Sequence, residues 1–138
     1  MSKRKEKTPQ KVNRDALARR ALKTWIARLN LGHWEIKCDW ETEPGGAETN
    51  LGASEANYAN LCASIDLLRT LETNRIEEIV LHELLHVVLS PLTHACFDVI
   101  GSLPDGAHKS LAQTAVNNGE EQIVRLLVRS LLKHFNSA

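Results

Sequence analysis

Apolar positions recur every three to four residues from Asp15 onward: Leu17, Ala18, Leu22, Trp25, Ile26 and Leu29 share one side of a helix. Asn30-Leu31-Gly32 follows, with Gly32 as a candidate C-terminal cap. The rhythm changes at Trp34. Up to Glu41 apolar and polar residues alternate strictly, so that Trp34, Ile36, Cys38 and Trp40 fall on one face of a half-buried strand. Glu43 to Glu55 is rich in Gly, Asn, Glu and Pro and reads as a loop or wide turn. A second strand is expected within Tyr58 to Leu68, clearest over Cys62-Ala63-Ser64-Ile65-Asp66-Leu67.

The most apolar run, Ile76 to Leu89, predicts a buried helix. Thr73 or Asn74 can cap it, Glu77 and Glu78 suit its positive end, and it should stop before Pro91. Thr93 to Ile100 reads as a short helix, Gly101 to Gly106 as a turn, and Ala107 to Asn118 as partly helical. Gly119 precedes a last helix, Glu120 to Phe135, whose apolar side is Ile123, Val124, Leu127, Val128, Leu131 and Leu132. The expectation is an α+β domain over residues 14–138: an N-terminal helix, a small antiparallel or mixed sheet, and two further main helices.

Composition narrows the class. An apolar content of 43% with 25% charged residues is an ordinary soluble balance. No uninterrupted apolar stretch reaches the roughly 18 residues of a membrane span, and no apolar region follows the first basic residues as in a signal peptide. Three cysteines, Cys38, Cys62 and Cys96, are odd in number and lack C-x-x-C spacing, which fits reduced thiols and a cytoplasmic setting. The net charge is zero but unevenly spread. Residues 1–20 carry eight Lys/Arg against two acids, and the remainder carry nine against fifteen. Residues 1–13 therefore read as a disordered basic tail, able to meet nucleic acid although most such tails are only solvated.

The candidate chemistry lies in the buried helix, at His82-Glu83-Leu84-Leu85-His86. Two histidines four residues apart on a helix share one face, one turn apart, and can share one metal ion. Glu83 sits about 100° from His82 and about 60° from His86 around the axis, beside the metal position without being a ligand. That is the disposition of a zinc hydrolase, with Glu83 as general base. Two satisfied core histidines with a surface Glu is the plain alternative, and a purely structural zinc would leave Glu83 unexplained. A catalytic zinc needs a third protein ligand. The long H-E-x-x-H-x-x-G-x-x-H form is absent, since Leu89 and Leu92 stand where its Gly and His would be. Glu121, Glu120 and His108 remain as candidates, and each has an ordinary alternative: acids at a helix N-terminus, or a loop histidine.

His-Glu-Leu-Leu-His followed by Glu121-x-x-Val124-x-x-Leu127-Val128-x-x-Leu131-Leu132 resembles the small Glu-ligated zincins (gluzincin-type metallopeptidases), including short phage and prophage metallopeptidases. In one branch of these the second helix reads E-x-x-A-x-x-F-A-x-x-L-L. Glu121 is in register with that pattern, and Val124 departs from its small residue. The resemblance spans roughly residues 15–135 and implies a minimal zincin-like fold, Zn2+ held by His82, His86 and Glu121, and hydrolysis of an extended peptide or protein substrate with Glu83 as base. It also implies that the strand near Ala59 to Leu68 is a sheet edge that pairs with substrate. Gly106-Ala107-His108-Lys109 is similar to the third-ligand segment of the SprT-like DNA-associated proteases, in which His108 would be the ligand. A zincin-like module that binds and regulates a partner without hydrolysis is the remaining reading.

Overall fold

The computed structural model describes residues 13–47 and 49–136; the basic tail expected over residues 1–13 lies, but for Asn13, outside the described residues. The described residues form three α-helices and a three-stranded mixed sheet, an α+β arrangement: α1 (Arg14–Arg28), β1 (Glu35–Glu41), β2 (Gly52–Asn57), β3 (Cys62–Leu68), α2 (Ile76–Gly101) and α3 (Ala107–Asn136).

Asn13 starts α1, its side chain accepting from the Ala16 amide. Leu29 is the C-cap, and Asn30 rather than Gly32 takes the left-handed backbone, at φ 57°. An Asn tolerates that conformation because its short polar side chain bonds locally. β1 alternates as expected, with Ile36, Cys38 and Trp40 half-buried and Glu35, Lys37, Asp39 and Glu41 exposed.

The sheet order is β1-β3-β2, with β1 parallel and β2 antiparallel to β3. This corrects two expectations. The strand containing Cys62 to Leu67 is central, not an edge: Ala63, Ile65 and Leu67 are buried between β1 and β2. The edge on the other side is β2, which falls within and just after the expected loop. Its core-facing residues are Gly52, Ser54 and Ala56, paired with Leu67, Ile65 and Ala63. A strand whose inner face is Gly, Ser and Ala shows no apolar alternation, so hydrophobic periodicity does not reveal it.

Those small residues let α2 lie close on β2. A Cβ on Gly52 would stand 2.8 Å from Cγ2 of Ile79 and 3.2 Å from both the Asp66 carbonyl oxygen and Cγ of Glu83. Gly52→Ala is therefore expected to destabilise the fold by about 1–3 kcal/mol by overpacking. Urea unfolding checks this, and an unchanged midpoint would contradict the close approach.

α1 and α2 cover one face of the sheet, and α2 also packs on α3. The core joins Ala18, Ala21 and Trp25 of α1, Ile65 and Leu67 of β3, Ile76 to Leu85 of α2 in large part, and Val124 and Val128 of α3. The Trp25 indole N–H donates to Glu77 at 3.1 Å, fixing the start of α2 against α1. Arg28 lies over the rings of both Trp25 and Phe135, which ties the end of α3 to α1.

α2 and α3 are each longer than the sequence pattern suggests. α2 passes through Pro91 to Gly101, absorbing the expected separate helix over Thr93 to Ile100. Pro91 cannot donate to the Val87 carbonyl, and Ser90 Oγ donates to that oxygen instead, at 2.7 Å. Among the described residues no side chain caps the start of α2; Thr73–Arg75 form a 3-10 turn leading into it. α3 runs unbroken through Gly119, which meets no neighbouring atom that a Cβ would touch. Thr73–Gly101 is long and apolar enough to cross a membrane by length and composition; in this fold its first half is the core of the domain.

Candidate metal centre

α2 and α3 are antiparallel, joined by the short turn over residues 102–106. The middle of α3 therefore faces the middle of α2, and Glu120 and Glu121 meet His82 and His86. Because α3 continues on both sides of Gly119, these two acids are mid-helix. The ordinary explanation for them, stabilisation by a helix N-terminus, does not apply here.

His86 Nε2 lies 2.8 Å from Glu121 Oε1, His82 Nε2 lies 3.5 Å from Glu121 Oε2, and the two Nε2 atoms are 3.3 Å apart. Ligand atoms arranged tetrahedrally around an ion with bonds of about 2.05 Å are about 3.3 Å from one another. His82, His86 and Glu121 are thus spaced to hold a metal ion.

The donor chemistry points the same way. Glu120 Oε1 is 2.9 Å from His86 Nδ1. An ionised carboxylate only accepts, so Nδ1 carries the proton and donates, leaving the Nε2 lone pair of neutral His86 aimed at Glu121 and His82. His86 Nε2 and the Glu121 carboxylate are then two acceptors 2.8 Å apart, which a proton or a cation between them reconciles. Without a metal, a proton on His86 Nε2 can serve. Burial works against charging His86, but the hydrogen bond it donates to Glu120 and the charges of Glu83, Glu120 and Glu121 outweigh it and raise its pKa. His82, by contrast, is held below its ordinary value mainly by burial. The position of Glu120 is that of a carboxylate orienting a metal-ligating imidazole through its far nitrogen. It faces away from the point where the other three groups meet.

Glu83 is 5% exposed, the most buried acid among the described residues. Burial raises its pKa, opposed by a hydrogen bond from the Ser54 hydroxyl of β2 and by the nearby His86. It lies between α2 and the edge strand, beside the cluster but outside the ligand triad, as its angular position on the helix requires. Ser54 had no signal in the sequence, because the strand that presents it was not legible there.

A groove of about 1140 Å³ opens over these groups, lined by β2 on one side and by α2 and α3 on the other. His94 lines it toward the far end of α2, and Tyr58 packs edge-on against His94 at 5.3 Å. His108 is not brought to the site. It stands in the first turn of α3, thirteen residues before Glu121 on one continuous helix, roughly 20 Å away along the axis. All three cysteines are free, and burial with flanking acids pushes the Cys38 thiol up to about 11.

No family model, curated protein or solved structure matches this chain.

Proposed function

We propose that this chain is a zinc-dependent peptidase of the small Glu-ligated zincin type, with His82, His86 and Glu121 as metal ligands and Glu83 as general base. The observation that carries the reading is the convergence of three donor atoms from two helices at tetrahedral spacing, with a fourth, buried carboxyl beside them. Two imidazoles and a carboxylate are a ligand set that zinc takes; bound there, it would supply a Lewis acid for a peptide carbonyl and lower the pKa of water toward 7.

The chain's own groups supply the rest. Glu120 holds the His86 ring so that Nε2 faces the ligand position. Glu83, with a raised pKa and a single hydroxyl partner, is suited to take a proton from the attacking water and return it to the leaving amine. The outer edge of β2, unpaired by any strand among the described residues, borders the groove, and an extended substrate can add to it as a fourth strand through main-chain hydrogen bonds. The resemblance thus keeps its substrate-pairing edge but moves it from β3 to β2. The test is hydrolysis of peptides by wild type and Glu83→Gln protein, measured together with the metal content of both.

A further inference from the structure

The groove is not electrically uniform along its length. At the N-terminal end of α2 it is lined by Arg75, and on the facing part of α3 by Arg125 and Arg129, one and two turns beyond Glu121. Glu78 lies at that end, paired with Arg75 at 3.2 Å, and Glu121 borders it. Arg125 reaches toward Glu121 at 3.8 Å, a distance that leaves most of its donors available, and Arg129 has no ion-pair partner among the described residues. The opposite end, past His86, is lined by neither Lys nor Arg. Three guanidiniums against the carboxylates of Glu78 and Glu121 make this the more cationic end of the groove, on a body whose charge beyond residue 20 is otherwise acidic.

The direction of β2 gives this asymmetry a meaning. β2 starts at Gly52, against Ile79, and leads to Tyr58, against His94, so it runs from the arginine end toward the other. A peptide added antiparallel to it, the more stable pairing per residue, has its carboxyl-terminal part among the arginines.

Resting on the peptidase reading above, we propose that the groove selects extended peptides carrying Asp or Glu on the carboxyl-terminal side of the cleaved bond, recognised by Arg129, Arg125 and Arg75. Guanidinium forks match carboxylates in pairs of parallel hydrogen bonds. These arginines are on the rim, so each contact is modest and screened by salt; together they amount to about a three- to tenfold preference at low ionic strength.

Two readouts test this. Zinc-loaded full-length protein is incubated with a pooled library of random decapeptides and the cut positions are read by mass spectrometry. In parallel, Glu83→Gln protein is titrated with a fluorescent decapeptide bearing three acids in its carboxyl-terminal half, and with one bearing them in its amino-terminal half. The expected results are enrichment of Asp and Glu after the cut, about fivefold tighter binding of the first peptide, and loss of both preferences in Arg129→Glu. Cuts without that enrichment and equal binding of the two peptides overturn the selectivity and leave the peptidase reading standing. No cuts, with the binding preference intact, overturn hydrolysis and uphold recognition of acidic peptides.

Discussion

Glu83→Gln is expected to lower peptide hydrolysis by about 10²–10⁴-fold while the protein keeps its metal and its fold. The amide has nearly the shape of the carboxyl, so the packing against Gly52 is preserved and the Ser54 hydroxyl still finds an oxygen acceptor. What is lost is a group that can hold a proton between water and leaving amine. The ligand triad does not include Glu83, so metal content stays as in wild type. Loss of metal together with activity would instead make Glu83 a ligand, and unchanged activity would remove it from the chemistry. Wild type that binds metal but cuts nothing would return the chain to the binding-module reading.

Zinc is expected to stabilise the chelator-treated protein strongly. At a free zinc concentration about 1,000 times its dissociation constant, binding to the folded state alone contributes about 4 kcal/mol. For a domain of this size that corresponds to a rise in Tm of about 10 °C or more. The gain has a defined pH dependence. Binding must displace the proton from His86 Nε2, and the surrounding carboxylates raise the pKa of that imidazole. Proton competition therefore weakens zinc binding below the raised pKa and is relieved above it, so the stabilisation is greater at about pH 8 than at about pH 6. The metal-free protein responds oppositely at this residue. A raised folded-state pKa stabilises below the unfolded value, and that contribution is lost as pH rises through the folded one. Calorimetry of metal-free and zinc-loaded protein at both pH values checks the sign, and a Tm indifferent to zinc would contradict a bound metal altogether.

Much of this arrangement was legible in the residues. The alternation from Ile36 to Trp40 and the helical spacing from Leu17 to Leu29 named two elements correctly, because both bury one apolar face against the core. His82, Glu83 and His86 were legible as a unit because helix geometry alone fixes their relative directions. The rest depends on tertiary context. Pro91 and Gly119 are local breakers, and each is overridden: Ser90 substitutes for the missing donor, and a 30-residue helix packed on α2 carries one glycine without ending. Glu121 could be ranked over Glu120 only by register with a family pattern. The geometry separates them on physical grounds, since Glu120 meets Nδ1 and Glu121 meets Nε2 of the same ring. β2 was hidden because its inner face is Gly, Ser and Ala, and with it were hidden the partner of Glu83 and the position of the free sheet edge. The electrostatic lining of the groove was equally out of reach, because Arg75 and Arg129 come together only through the antiparallel pairing of α2 with α3.

The central claim is a metal held between these two helices by His82, His86 and Glu121. It is tested most directly by the zinc-to-protein ratio of wild type, Glu121→Ala and His108→Ala, each loaded with zinc and passed through a desalting column. The account predicts about one zinc per chain in wild type and His108→Ala, and loss of zinc in Glu121→Ala. Zinc retained by Glu121→Ala, or lost from His108→Ala, would contradict it, as would a wild type that carries none.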